Sequence, residues 1–148
     1  MREVITNSAE ETENLGVELA AELRAGDVIA MRGGLGAGKT AFIRGIAKGL
    51  GFTGETSSPT FALVHEYRGG RLDLFHFDMY RVGGYGDFLT TGFFDYLDCS
   101  VEDGGVCAVE WSENIEEYLD VPPQALITVK IDCISDDCRS IGIRKGSI

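Results

Sequence analysis

The chain has 148 residues, 44% hydrophobic and 25% charged, which fits one globular domain over residues 1–148 and excludes a disordered or fibrous protein. With 24 acidic residues against 13 basic, the net charge of −11 argues against direct, tight binding to a phosphate backbone. No run approaches the ~18 apolar residues of a membrane span and no signal-peptide core follows Met1, so a cytoplasmic protein without membrane contact is expected.

In chain order, a short β-leaning segment at Glu3 to Thr6 comes first. Ser8, with Glu11 three residues on, then makes a capping box for a helix over about Ala9 to Arg24, whose Leu15, Leu19 and Leu23 form one apolar stripe beside Gly16 and Ala20. Ala25-Gly26 ends that helix, and Asp27 to Arg32 reads as a buried strand. After a glycine-rich turn, Ala41 to Leu50 has helical spacing at Ile43, Ile46, Ala47 and Leu50. Phe61 to Arg68 and Arg71 to Asp78 read as two strands joined at Gly69-Gly70. Asp87 to Leu97 is weakly helical, Gly105 to Glu110 is a buried strand, and Ser112 to Leu119 is a short helix stopped by Pro122-Pro123. Ala125 to Ile131 and Arg139 to Arg144 form a terminal hairpin around Ser135-Asp136-Asp137.

The chemistry is concentrated in Gly33-Gly34-Leu35-Gly36-Ala37-Gly38-Lys39-Thr40, which satisfies G-x-x-x-x-G-K-[ST] between a hydrophobic strand and a helix. Glycines let the backbone wrap a polyphosphate closely and point its amides inward. Gly36, Ala37, Gly38, Lys39, Thr40 and Ala41 are therefore the expected nucleotide contacts. Lys39 supplies an ammonium for the β- and γ-phosphates, and the Thr40 hydroxyl an oxygen for Mg2+.

Such a site needs carboxylates at the C-terminal ends of neighbouring strands, and two acids end apolar runs: Asp78 and Glu110. Glu110 is the expected metal-orienting acid, and Asp78 is expected to hold magnesium through water or to position the attacking water. Thr60 has the place of a hydroxyl that senses the γ-phosphate, although Ser58-Pro59-Thr60-Phe61 also reads as an ordinary proline turn. Trp111 either packs near the nucleotide or fills the core, and His76 reads as structural. No N-K-x-D string is present for guanine, so ATP is the expected nucleotide.

Cys99, Cys107, Cys133 and Cys138 show no zinc-ligand spacing and read as structural or incidental thiols. Residues 82–137 hold 13 acids against the single base Lys130, so that stretch carries −12, as a solvated face or a docking face for a basic partner, and the rest of the chain sums to +1.

The loop at 33–40, Ser58-Pro59-Thr60-Phe61, His76-Phe77-Asp78-Met79-Tyr80-Arg81, Val109-Glu110-Trp111-Ser112-Glu113 and the closing Arg139 to Gly146, in that order, resemble the bacterial TsaE (YjeE) family over nearly the whole chain. The resemblance implies an α/β, P-loop NTPase-like three-layer fold with a mixed parallel and antiparallel central sheet. It also implies a Mg2+-dependent ATPase that assists N6-threonylcarbamoyladenosine synthesis on tRNA with the TsaD and TsaB proteins and meets tRNA only through that complex; with no clear arginine finger visible in cis, hydrolysis by the chain alone is expected to be slow. On the same basis Lys39 and Thr40 match the phosphate and magnesium contacts, Glu110 the Walker-B-type acid, Asp78 a second catalytic carboxylate and Thr60 the switch residue. Gly34, where the family usually has an acid, and Val82 to Gly86, where it has a more acidic, proline-containing link, depart from the pattern. Two other classes fit the phosphate loop: a small-molecule kinase, which would need arginines beyond Arg81 around the transferred group, and a nucleotide-gated adaptor that scarcely hydrolyses ATP.

Overall fold

A computed structural model describes residues 2–33, 38–53 and 64–146. Strands β1 (Arg2–Thr6), β2 (Val28–Arg32), β3 (Val64–Tyr67), β4 (Asp73–Asp78), β5 (Gly105–Glu110), β6 (Leu126–Cys133) and β7 (Arg139–Lys145) form one sheet in the order β1-β7-β6-β2-β5-β4-β3. The four central strands β6, β2, β5 and β4 are parallel, whereas the β1/β7, β6/β7 and β3/β4 pairs are antiparallel. This is the mixed α/β sheet expected.

Helices cover both faces. Ile29 and Met31 of β2 point into one apolar layer with helices α1 (Ala9–Ala20) and α2 (Lys39–Gly49). Val28 and Ala30 point into the other, which holds Phe88 of α3 (Tyr85–Thr90) and Phe93 of α4 (Phe93–Asp103). Burial on both sides explains why β2 and β5 read as unbroken apolar runs. The acidic stretch falls largely on the second face, where Asp95, Asp98, Glu102 and Asp103 of α4 are exposed. Among the described residues, no helix is long and apolar enough to cross a membrane.

Ser8 caps α1 by accepting from the Glu11 amide at 3.1 Å, but the helix ends at Ala20 rather than Arg24. Beyond it the Leu23 amide donates to the Ala20 carbonyl, Arg71 donates to the carbonyls of Ala20 and Leu23, and Asp27 accepts from the Arg24 amide. The expected helix over 87–97 is instead two, divided at Gly92 with φ 75°. The segment 112–119 forms two 3-10 turns, Ser112–Asn114 and Glu116–Tyr118, rather than one α-helix. The helix after the phosphate loop starts at Lys39, two residues earlier than its apolar pattern indicates, and the strand expected from Phe61 is described only from Val64.

α1 and α2 pack unusually close because glycines line their contact. A Cβ on Gly45 would stand 1.9 Å from the Glu13 carbonyl oxygen, and one on Gly16 would stand 2.4 Å from that of Phe42. This clamp fixes the helix whose first residue is Lys39.

Candidate active site

Parallel strands deliver β2, β4 and β5 to the same rim, so Gly33, Asp78 and Glu110 arrive together. Asp78 is the register partner of Glu110, and Met31 of β2 pairs with Glu110 from the other side. α2 begins at this rim, with Gly38 left-handed at φ 100° immediately before it.

Lys39 is buried, and its ammonium has three neighbours. Nζ donates to the Gly33 carbonyl at 2.9 Å, lies 3.9 Å from Glu110 Oε1, and sits 4.3 Å from the centroid of the Trp111 ring. Each of these partners attracts a cation, so the ammonium is held at the rim between Gly33, Glu110 and Trp111. Thr40, one residue on, is exposed beside it.

Glu110 also meets His76, whose Nε2 lies 2.5 Å from Oε2. Burial pushes the Glu110 carboxyl up, but the hydrogen bond with His76, then the electrostatic attraction of His76, Lys39 and His65 in that order, outweigh it and hold the group below its ordinary range. Glu110 is thus an ionised acceptor at neutral pH. Asp78 is exposed, and its Oδ1 accepts from the Tyr80 amide at 3.0 Å, which aims the carboxylate at the turn after β4.

The two turns that follow the acids are stitched together. The Met79 amide donates to the Glu110 carbonyl at 3.0 Å, and Asn114 Nδ2 donates to the Met79 carbonyl at 2.9 Å. Arg32, at the end of β2, forms an ion pair with Glu116 that pins the same turn. Trp111 occupies the left-handed region with φ 58°, a conformation that costs a non-glycine residue about 1–2 kcal/mol. The tight turn brings its half-buried ring under Lys39 and 5.0 Å from Tyr80.

Of the residues singled out from sequence, Lys39, Thr40, Asp78, Glu110 and Trp111 gather at this rim, with Gly38 and Ala41 on the adjoining face of α2. Gly36, Ala37 and Thr60 lie outside the described residues. His76, which reads as structural in the sequence, contacts the site through Glu110. A cavity of about 100 Å³ beside Gly38 and Ala41, lined by Ser8, Thr12 and Arg139, had no clear local signal, because it joins the two ends of the chain.

The donor set at the rim, one hydroxyl and two carboxylates, is all oxygen and suits a hard divalent ion. Among the described residues no group of three or more His, Cys, Asp or Glu forms a metal cage. Magnesium fits that condition, since it is commonly held by one or two carboxylates with phosphate and water completing its shell.

A model of the family described as "Threonylcarbamoyl adenosine biosynthesis protein TsaE" matches residues 6–141. A tRNA threonylcarbamoyladenosine biosynthesis protein TsaE from Treponema pallidum is 37% identical over 139 residues, covering 94% of this chain and 97% of that protein. Its Bacillus subtilis counterpart is 41% identical over 136 residues, covering 92% and 80% respectively. The crystal structure of YdiB from the same bacterium superposes with a TM-score of 0.74 at 36% identity, over 99% of this chain and 86% of that one.

Proposed function

Because the chain belongs to the TsaE family of threonylcarbamoyl adenosine biosynthesis proteins, we propose that it is a magnesium-dependent ATPase. It converts ATP to ADP and phosphate in support of N6-threonylcarbamoyladenosine formation on tRNA. The observation that carries this reading is the meeting of Lys39 with the Glu110 carboxylate at the rim where the phosphate loop enters α2.

In this reading the Lys39 ammonium exchanges the Gly33 carbonyl for the β- and γ-phosphate oxygens, a short move because its stem is already packed. Thr40, Glu110 and Asp78 would hold magnesium, which when bound neutralises charge developing on the phosphate oxygens. The depressed Glu110 acid keeps its charge for that task at any pH near neutral. Asp78, more exposed, orients the attacking water. The cavity against Gly38 and Ala41, lined also by Arg139, Asp136 and Asp137, receives the nucleoside, since it adjoins the start of α2 where the phosphates would sit.

Gly36 and Ala37 belong to the same phosphate cradle, and Thr60 serves as its γ-phosphate sensor. The acidic face around α4 suits basic protein partners, here TsaD and TsaB, and opposes direct contact with tRNA. No arginine finger in cis is recognisable from the sequence, so turnover alone is slow and rises with the partners, a contribution worth 10³–10⁵ where such a residue is supplied. The experiment is ATP turnover with and without the cognate TsaD–TsaB pair and tRNA. An equal rate in both would contradict the partner-activated reading, and label from γ-phosphate appearing on a small acceptor would favour a kinase.

A further inference from the structure

We infer that His76 is a positioning residue for Glu110, holding one carboxylate oxygen so that the other alone is presented to the phosphate side of the site. The inference rests on the ATPase reading for its purpose, but the contact itself stands on geometry.

His76 and Glu110 lie on adjacent parallel strands and point to the α2 face of the sheet, His76 one pleat below Asp78. Their side chains are only 11% and 13% exposed. The two Glu110 oxygens have different partners: Oε2 meets His76 Nε2 at 2.5 Å, whereas Oε1 faces Lys39 Nζ at 3.9 Å. An ionised carboxylate only accepts, so the hydrogen between the two residues belongs to Nε2.

The second ring nitrogen supports the same assignment. Nδ1 of His76 is buried and has no hydrogen-bond partner among the described residues, so a hydrogen there would be a donor without an acceptor from them. His65, opposite His76 on β3, packs against the ring at a centroid distance of 5.7 Å and tilts by 32°. Glu110 is therefore the ring's only directional partner among the described residues. Without it the carboxylate is free to turn both oxygens toward Lys39. A merely space-filling residue at this position would place no hydrogen on the carboxylate.

The test uses the full chain, the non-hydrolysable analogue adenylyl imidodiphosphate, and calorimetry in EDTA and across a Mg2+ titration. Gln keeps a donor at position 76 and Met keeps the volume without one. His76→Gln is expected to retain the wild-type magnesium dependence within about threefold. His76→Met is expected to need about 10-fold more magnesium or above, the scale on which partners of metal ligands act. Both should bind the analogue like wild type in EDTA.

Wild-type magnesium dependence in His76→Met would overturn the inference. In addition, ¹⁵N-histidine NMR of the wild-type protein should show the His76 hydrogen on Nε2, with a shift that changes in Glu110→Gln; a hydrogen on Nδ1 alone would also overturn it, even if His76→Met does not fold. If wild type itself fails to bind the analogue with magnesium, the ATPase reading falls, while the NMR result still decides the contact.

Discussion

Replacing Gly45 by alanine tests how the phosphate loop is held. The added Cβ would lie 1.9 Å from the Glu13 carbonyl oxygen and 2.8 Å from its carbon, both backbone atoms that cannot rotate away. Restoring even a 3.0 Å contact requires α1 and α2 to part by about 1.1 Å. A gap of that order forfeits a quarter to a half of the dispersion attraction across the interface, where Leu15, Leu19, Phe42, Ile43 and Ile46 are buried. Overpacking of this kind costs about 3 kcal/mol, against which the better helix propensity of alanine returns about 1 kcal/mol. The net loss of about 2 kcal/mol corresponds to a melting temperature lower by about 4–8 °C. Since Lys39 begins the same helix, affinity for Mg–ATP should fall as well. Differential scanning calorimetry and nucleotide titration read both effects. Gly86→Ala, where a Cβ meets nothing within 4 Å, is the control and should be neutral or slightly stabilising. A Gly45→Ala protein as stable as wild type would refute the close-packed clamp.

Trp111 is the single tryptophan and lies under Lys39, so saturating Mg–ATP should change its fluorescence as the ammonium leaves; a flat titration with binding independently demonstrated would contradict that exchange. Burial pushes the Cys107 thiol up to about 12, so the unfolded chain ionises first above pH 9 and stability should fall by up to about 1.4 kcal/mol per pH unit until that value, an effect absent in Cys107→Ala. In native protein at pH 8, a thiol reagent should label exposed Cys133 and leave Cys107 untouched until denaturant is added. Arg139→Ala should weaken Mg–ATP binding several-fold in calorimetric titration, because Arg139 lines the cavity beside Gly38 and Ala41; unchanged affinity would take that cavity out of the nucleotide site.

The phosphate loop, its lysine and the two strand-end acids were legible because each combines a residue type with a local context that short-range spacing records. The buried strands and the α1 stripe were legible for the same reason. What escaped depends on register between distant segments. The His76 contact joins residues 34 apart through the β4/β5 pairing, and the cavity at Gly38 joins α1 to β7. The contact of Arg71 with the carbonyls of Ala20 and Leu23, at and just beyond the end of α1, joins residues some 50 apart and leaves no local signal. The left-handed turn at Trp111 has no propensity signal, since the surrounding bonds from Met79, Asn114 and Arg32 impose it.

The most direct test of the central claim is calorimetric titration of adenylyl imidodiphosphate with magnesium into wild-type protein and Lys39→Ala. Saturable one-site binding by the first, and its loss in a second protein with unchanged circular dichroism, is the predicted result. Folded wild-type protein that takes up no nucleotide, or Lys39→Ala that binds equally well, would contradict the assignment of this rim as a triphosphate site.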